Sequence, residues 1–343
     1  MRVSFPGFFD LQVNGFSGVD FNSPGRSVEE IQIALGALRA TGVTRCLPTL
    51  VSSSLDDFAA CVRQIAATGD ETIAGFHMEG PYISPLNGAR GAHPLDCLRE
   101  PSIDDFRRRQ EAADGHIVLV TLAPELSGAL PLIEQLVRED VRVAIGHTMA
   151  NGSQIQAAIS AGAMLSTHLG NGCPEMLHRH DNVIWEQLAA ENLCACVIAD
   201  GHHLPDAVLK SMVRAKGLYR TILVTDATAA AAAEPGCYML GSVAIRGQEN
   251  GYVSTGGSTY LAGSALTMDK AVGNVVRVCG LALEDVLPMA TTNPARVLGM
   301  EPAGEVVAEW DAVHHRFVIE EARTEADDCG ISRPTDPTLF SAR

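Results

Sequence analysis

Four acidic or histidine residues each close a short, mostly apolar run of the sequence. The runs are TIAGFHME, VRVAIGH, GAMLSTH and TILVTD, and the residues that close them are Glu79, His147, His168 and Asp226. Two imidazoles and one carboxylate make three protein ligands with one position left open, as in catalytic zinc and non-haem iron sites. We predict one divalent metal ion held by Glu79, His147 and His168, with zinc as the metal and iron or manganese as alternatives.

Asp226 is the predicted catalytic acid and base. Each of the four residues also has a simpler explanation: a solvated strand-end glutamate, hydrogen-bonded core histidines or a helix-capping aspartate. However, a carboxylate that ends an apolar and β-branched run needs a partner to be tolerated there. A divalent cation lowers the pKa of a coordinated water to about 7, and a nearby carboxylate can take its proton and later protonate a departing amine. The predicted chemistry is therefore amide hydrolysis.

Strand-like runs alternate with helical segments along the chain. The strand-like runs are 7–13, 43–49, 72–79, 116–122, 141–147, 162–168, 193–199 and 221–226. The helical segments are 27–40, 54–67, 103–113, 127–139, 151–161, 183–191 and 206–216, with later ones near 265–279 and 283–290. Continuous apolar runs fit parallel strands covered on both faces, and polar strand ends fit the active sites of barrels. We predict a (β/α)8 TIM-like barrel, with a doubly wound sheet as the alternative.

The composition of the chain changes after the eighth run. Residues 227–263 are rich in Ala and Gly, which favours a ligand-facing crossover or lid. We assign residues 1–300 to the metal-dependent barrel and 301–320 to a short β remnant. The polar, Pro-containing residues 321–343 are predicted to be a loosely ordered tail.

The net charge of −16 over 343 residues limits the partners of this protein. Nucleic acid and anionic membranes both need a cationic surface, so neither is expected, and a small-molecule substrate is. No run reaches the ~18 consecutive apolar residues of a membrane span, and the start lacks the pattern of a secretory signal. The nine cysteines are scattered through apolar segments, as reduced thiols are. We expect a cytoplasmic protein.

A series of short motifs runs in order from residue 6 to residue 300. They are PGFFDLQVNGFSGVDFN (6–22), GFHMEGPYI (75–83), GAH (91–93), VTLAPE (120–125), GHT (146–148), THLGNG (167–172), IADGHH (198–203), VTDATA (224–229), LAGSALTMDKAV (261–272) and TTNPARVLGM (291–300). Together they resemble the N-acetylglucosamine-6-phosphate deacetylases of the amidohydrolase superfamily. The resemblance implies the same metal ligands, Glu79, His147 and His168, and the same catalytic aspartate, Asp226.

The resemblance also implies which residues contact the substrate. His93 would lie near the scissile acetamide, and Asn171, Gly172, Arg179 and His203 would form the sugar-phosphate pocket. The arginine, whose planar fork suits phosphate oxygens, would reach across the interface of a homodimer. Without the resemblance, Arg179 is as well explained as a surface cation and His203 as a loop histidine.

The sequence departs from the family in several places, three of which bear on the predicted site and fold. Where the superfamily often carries His-x-His in the first strand, this chain has Gln12 and Asn14, and amides bind metals poorly. We therefore expect one ion, with Gln12 hydrogen-bonding its water. Asp181 and Asn182 replace a Pro-Gly pair and add negative charge beside the predicted phosphate pocket. The barrel begins almost at Met1, so the accessory β segment of the family is expected to be reduced.

The predicted reaction is hydrolysis of the acetamide of an N-acetylated amino sugar, giving the amino sugar and acetate. N-acetylglucosamine 6-phosphate is the leading substrate. The alternative is an amidohydrolase for a related, non-phosphorylated N-acyl compound. A more distant alternative is an inactive barrel used for binding or assembly, as happens when a fold outlives its site. The presence of all four key side chains argues against it.

Overall fold

A computed structural model of the protein describes residues 1–256 and 260–324. The strands are β1 (Arg2–Pro6), β2 (Phe8–Val13), β3 (Gly15–Phe16), β4 (Val19–Asp20), β5 (Val43–Leu50), β6 (Phe76–Glu79), β7 (Ile117–Leu122), β8 (Arg142–Ile145), β9 (Leu165–Ser166), β10 (Cys194–Val197), β11 (Thr221–Leu223), β12 (Gly236–Leu240), β13 (Val243–Gly247), β14 (Val253–Thr255), β15 (Glu305–Asp311) and β16 (Arg316–Arg323). The helices are α1 (Val28–Arg39), α2 (Leu55–Ala66), α3 (Ile103–Ala112), α4 (Ala129–Arg138), α5 (Gly152–Ala161), α6 (Val183–Ala189), α7 (Asp206–Lys216), α8 (Met268–Cys279), α9 (Leu283–Ala290) and α10 (Thr292–Val297).

Eight parallel strands form the central sheet, in the order β11-β10-β9-β8-β7-β6-β5-β2. A parallel bridge joins Val13, at the end of β2, to Ala227, beyond the end of β11. The backbone N–H of Asp226 donates to the carbonyl of Gln12 at 3.0 Å, and that of Asn14 donates to Ala227 at 2.7 Å. These contacts close the sheet, so the predicted (β/α)8 barrel is confirmed and the doubly wound sheet is wrong.

The strands and helices follow from the pattern of burial and capping. All six residues of β2 are buried, because one face lines the barrel interior and the other packs under the helices. Several of the outer helices begin at polar caps: Ser27 and Glu30 form a capping box on α1, and Asn151 and Gln154 form one on α5. Within the part of the chain that the structure describes, no helix is long and apolar enough to span a membrane.

A three-stranded antiparallel sheet, β1-β15-β16, forms the accessory β segment. The rings of Phe5 and Phe8 are 5.1 Å apart and connect this sheet to the barrel core. Two boundaries differ from the prediction. β1 belongs to this sheet rather than to the barrel, because its hydrogen-bonding partner is β15. β16 continues to Arg323, into the predicted tail, and the tail residues 325–343 lie outside the described part of the chain.

The Ala- and Gly-rich crossover contains a second antiparallel sheet, β12-β13-β14, which we call the lid sheet. Its strands alternate between exposed and buried residues, and Leu240, Ile245 and Val253 form a small apolar cluster of their own. Val51 and Ala92, from two loops at the mouth of the barrel, pack against this cluster. The crossover was predicted as a lid, but its regular strands were not.

Candidate active site

The three predicted metal ligands meet at one point at the carboxyl ends of the barrel strands. Glu79 is the last residue of β6, and His147 and His168 lie two residues beyond β8 and β9. Glu79 Oε1 is 3.2 Å from His147 Nε2 and 3.1 Å from His168 Nε2, and the two imidazole nitrogens are 3.1 Å apart. All three side chains are buried. A cluster of this kind is a ready ligand set for a cation.

The spacing of these atoms fits a tetrahedral metal site. Metal–nitrogen bonds of about 2.1 Å place neighbouring tetrahedral ligands about 3.4 Å apart, close to the observed separations. His147 Nδ1 lies 2.8 Å from the carbonyl oxygen of Ala89. Because a carbonyl can only accept, Nδ1 carries the proton and Nε2 presents its lone pair to the cluster. The donors therefore match a divalent cation in spacing, and His147 also matches it in tautomer.

The two imidazoles stabilise the charged form of Glu79. Burial alone would raise the pKa of Glu79, but His147 and His168 hold that pKa well below its usual value. Burial would lower the pKa of His168, yet Glu79 raises it, so a cation that binds here must displace the proton of that ring. The carboxylate form of Glu79 is thus the stable one, as a metal ligand requires.

His147, His168 and Asp226 have left-handed backbone conformations, with φ of 50°, 26° and 51°. Such values cost free energy in residues other than glycine and concentrate at functional sites. In each case the residue follows the last residue of a strand by two or three positions, where the chain must turn away from the barrel axis. The turn aims each side chain inward over the mouth.

Two side-chain amides, from the end of β2 and the residue after it, hold Asp226 beside the three predicted metal ligands. Its Oδ1 accepts hydrogen bonds from Asn14 Nδ2 at 2.6 Å and from Gln12 Nε2 at 3.1 Å. Gln12 Nε2 also donates to Glu79 Oε1 at 3.0 Å, so it connects the predicted acid to a predicted ligand. Burial, followed by the negative charge of Glu79, raises the pKa of Asp226 to about 6. Sequence reasoning noted Asn14 only as a lost metal ligand; its position two residues after Gln12, on the same strand face, was the available signal.

His93 lies against the same cluster, with Nε2 4.0 Å from Glu79 Oε2. The backbone N–H of Ser52 approaches its Nδ1 at 3.3 Å, and the Ser52 hydroxyl lies 2.9 Å from the same atom. Since a backbone N–H can only donate, Nδ1 is an acceptor and the proton of the neutral ring sits on Nε2. Burial, and then the charge of His147, lowers the pKa of His93 to about 3. His93 is therefore a neutral donor facing the cavity.

Gly172 and Asn171 lie directly over the ligand histidines. Gly172 has φ of 58°, and a Cβ there would come within 3.0 Å of His147 Nδ1 and 3.1 Å of His168 Cε1. The backbone N–H of Asn171 donates to the carbonyl of His168 at 3.0 Å. The loop after β9 can therefore approach the two ligand histidines this closely only with glycine at 172.

A cavity of about 810 Å³ opens from the three predicted metal ligands toward the lid sheet. Its lining includes the predicted site residues Glu79, His93, His147, His168, Asn171, Gly172, His203 and Asp226. It also includes residues that sequence reasoning did not select, namely Asn14, Arg90, His202, Leu240, Val243, Tyr252 and Tyr260. The lid residues carry no chemical signal in the sequence, since their role depends on how an Ala- and Gly-rich segment folds over the barrel.

The residues predicted to bind the phosphate group are only partly brought together. His203 lines the cavity, whereas Arg179 is exposed and, among the described residues, Arg90 is the one arginine in the lining. Neither Asp181 nor Asn182 is in the lining; the side chain of Asn182 instead caps the start of α6.

The family model for the amidohydrolase family matches residues 3–313 of this chain. The chain belongs to the amidohydrolase family.

Relatives within this family share sequence along most of the chain. It is 34% identical to an N-acetylgalactosamine-6-phosphate deacetylase of Escherichia coli, covering 86% of this chain and 78% of that protein. It is 35% identical to the N-acetylglucosamine-6-phosphate deacetylase of Bos taurus, covering 86% and 74%. The solved structure of a mutant Mycobacterium smegmatis N-acetyl-D-glucosamine-6-phosphate deacetylase, in complex with N-acetyl-D-glucosamine-6-phosphate, superposes with a TM-score of 0.84 at 32% identity, covering 92% and 84%. The resemblance drawn from the motifs is confirmed.

Proposed function

We propose that this protein removes the acetyl group of N-acetylglucosamine 6-phosphate by metal-dependent hydrolysis, releasing the amino sugar phosphate and acetate. The observation that carries the proposal is the convergence of Glu79, His147 and His168 at one point, connected to Asp226 through Gln12. Membership of the amidohydrolase family and similarity to enzymes named for this reaction support it.

We assign one divalent metal ion to Glu79, His147 and His168, and zinc as its identity. When bound, such a cation polarises the amide carbonyl and lowers the pKa of a coordinated water to about 7. The amides of Gln12 and Asn14 stand where a second ion would need imidazoles, which supports a single ion. Elemental analysis of the purified protein tests the assignment. About one zinc per chain is expected, and iron or manganese at that ratio would replace zinc in the assignment.

Asp226 moves the proton in this proposal. Both amide donors bind its Oδ1, so within the described residues Oδ2 is the oxygen without a hydrogen bond and is available to the reactants. As a carboxylate, Asp226 takes a proton from the attacking water. As an acid, it returns that proton to the sugar nitrogen, which leaves poorly unless it is protonated. A pKa raised toward neutrality by burial suits both halves of this cycle.

His93 orients the acetamide. Its Nδ1 is occupied by Ser52, and its Nε2 carries the proton and faces the cavity. A neutral N–H donor beside the cluster can hydrogen-bond the carbonyl oxygen and stabilise the negative charge that develops there.

We place the phosphate against Asn171, Gly172 and His203, with Arg179 supplied by a second copy of the chain in a homodimer. His203 lines the cavity, and Arg179 is exposed in the single chain, as a residue that serves a neighbouring site must be. Asp181, the acid that raised doubt about a phosphorylated substrate, is outside the cavity lining. The cytoplasmic location stays a prediction.

Acetate release from four sugars tests the proposed function: N-acetylglucosamine, N-acetylgalactosamine and the 6-phosphate of each. We expect kcat/KM to be about hundredfold or more higher for a phosphorylated sugar, because a sugar without the phosphate leaves polar groups of the pocket without a partner. N-acetylgalactosamine 6-phosphate is the second candidate, because the E. coli relative is named for it. Higher activity on the unphosphorylated sugars would favour the alternative N-acyl substrate. No release from any of the four by metal-loaded protein would contradict the proposal.

A further inference from the structure

The loop after β10 contains an ion pair that the proposed mechanism does not use. His203 Nδ1 lies 2.7 Å from Asp200 Oδ2, and the two side chains are only 5% and 6% exposed. Asp200 Oδ1 accepts the backbone N–H groups of His202 and His203, each at 2.8 Å. Both oxygens of this carboxylate therefore face the short segment that carries His203.

This arrangement decides which nitrogen of His203 is available to a ligand. An ionised carboxylate can only accept, so Nδ1 carries a proton that it donates to Asp200. Burial opposes the charge of Asp200, but the hydrogen bond and charge of His203 lower its pKa, so the carboxylate form is favoured. Within the described residues Nε2 makes no hydrogen bond, and His203 lines the cavity. In the charged ring, Nε2 is a second donor.

We propose that Asp200 is a positioning residue for substrate specificity: it fixes His203 so that Nε2 points into the cavity and stabilises the imidazolium that binds the phosphate group. The inference rests on the proposed function for the identity of the anion as a sugar phosphate. Asp200 is not among the described residues that line the cavity, so it would act through His203 and not on the ligand directly. The chain has a net charge of −16 and Arg90 is the one arginine in the described cavity lining, so an imidazolium fixed here would add a local attraction for an anion.

The neighbouring residue offers a competing explanation. His202 Nε2 lies 3.0 Å from the carbonyl oxygen of Asn250, and its ring packs edge-on against Tyr252 at 5.5 Å between centroids. Asp200 also holds the backbone of His202, so it could act by anchoring the turn beside the lid sheet. That route would affect all substrates equally and would not depend on His203.

Steady-state kinetics of Asp200→Asn, His203→Gln and the double variant separate the two explanations. With the 6-phosphate substrate we expect Asp200→Asn to raise KM about tenfold with little change in kcat, because a charge-assisted hydrogen bond is weakened. With the unphosphorylated sugar KM should not change. In the His203→Gln background, Asp200→Asn should add nothing. Asp206→Asn is the matched control, since it removes the same charge at the exposed start of α7.

Equal changes in KM for both sugars, or an effect of Asp200→Asn that persists without His203, would overturn the inference. A ¹⁵N NMR measurement on the wild-type protein gives an answer that needs neither a folded variant nor turnover. The neutral His203 ring should be protonated at Nδ1, and inorganic phosphate should shift its Nε2 resonance. A neutral ring protonated at Nε2 instead of Nδ1, or no response to phosphate, would also overturn it. A wild type that is inactive on every sugar yet shows this response would refute the proposed function alone.

Discussion

At the metal end of the cavity, Glu79, His147, His168 and Asp226 each stand on a barrel strand or within three residues of one, and His93 is the exception on a loop. At the far end, Arg179 and His203 stand on loops, six or more residues beyond the nearest barrel strand. The first group is buried and mutually hydrogen-bonded within one chain. In the second, Arg179 is exposed and His203 depends on a single carboxylate. In the proposed function, the barrel determines which bond is cleaved, while its loops determine which molecule carries that bond.

Removal of the metal tests the first half of this comparison and has the largest expected effect. Chelation, or Glu79→Gln, should reduce kcat/KM by about a thousandfold or more, because several kcal/mol of charge stabilisation are lost. Activity of the chelated wild type should return when zinc is added, as followed by acetate release and metal content. Glu284→Gln, at an exposed position on α9, is the matched control. Full activity of metal-free protein would refute the metal assignment.

Asp226→Asn separates the metal from proton transfer. The substitution keeps the shape of the side chain and its contacts with Asn14 and Gln12 but removes the base, so kcat should fall by about 10²- to 10⁴-fold. Metal content should stay at the wild-type value, measured on the same samples. A variant with near wild-type kcat would show that Asp226 is not the acid/base.

Arg179→Met tests the far end. We expect KM for the 6-phosphate to rise about 10- to 100-fold and KM for the unphosphorylated sugar to stay constant, because a bidentate contact to phosphate is lost. Arg63→Met, an exposed arginine on α2, serves as the control.

Mixing subunits shows whether Arg179 acts across a dimer. The Arg179→Met chain keeps its own Asp226, and the Asp226→Asn chain keeps Arg179. If the arginine serves the neighbouring site, mixed dimers should recover activity at low substrate that neither parent has. The absence of recovery in dimers shown to be mixed would place Arg179 in its own site.

Two buried carboxylates sharpen the comparison through stability. Burial, only partly offset by hydrogen bonds from Thr225, raises the pKa of Asp10 to about 7, whereas the pKa of Asp200 is lowered by His203. Folded Asp10 holds its proton more tightly than the unfolded chain does, so its contribution is complete below about pH 4 and is lost as the pH rises to about 7.

The free energy of unfolding of the wild type should fall between about pH 5 and pH 8 because of Asp10. Asp10→Asn should reduce that fall by on the order of 2 kcal/mol. Asp200→Asn should not reduce that fall. A carboxyl group with a lowered pKa stabilises the fold at neutral pH and loses that contribution at acidic pH instead. Urea unfolding at the two pH values measures both effects. Equal pH slopes for wild type and Asp10→Asn would contradict the prediction.

Much of the barrel could be predicted because its signals are local. Each barrel strand falls within one of the predicted runs, apart from Leu50 at the end of β5, since parallel strands covered on both faces are continuously apolar. The positions of Glu79, His147, His168 and Asp226 followed from the same reasoning, because the ends of parallel strands meet at one rim.

The remainder depends on contacts that sequence patterns do not report. β1 is defined by pairing with β15, about 300 residues away, and the lid sheet consists of short, half-exposed strands in an Ala- and Gly-rich segment. The hydrogen bonds of Asn14 and Asp200 are likewise visible only once the chain is folded. In the proposed homodimer, the position of Arg179 relative to a bound phosphate depends on a second chain.

The left-handed backbone at His147, His168 and Asp226 also limits how this site can be re-engineered. Histidine, aspartate and asparagine tolerate that conformation better than other side chains with a Cβ. Of these three residue types, histidine and aspartate can also bind metals. Cysteine or glutamate at these positions would have to overcome the backbone preference before binding anything, so single substitutions are poorly suited to convert the site to a soft, thiolate-rich one. Glu79 stands on an ordinary extended strand, and it is the ligand position at which a designer has the widest choice of residue.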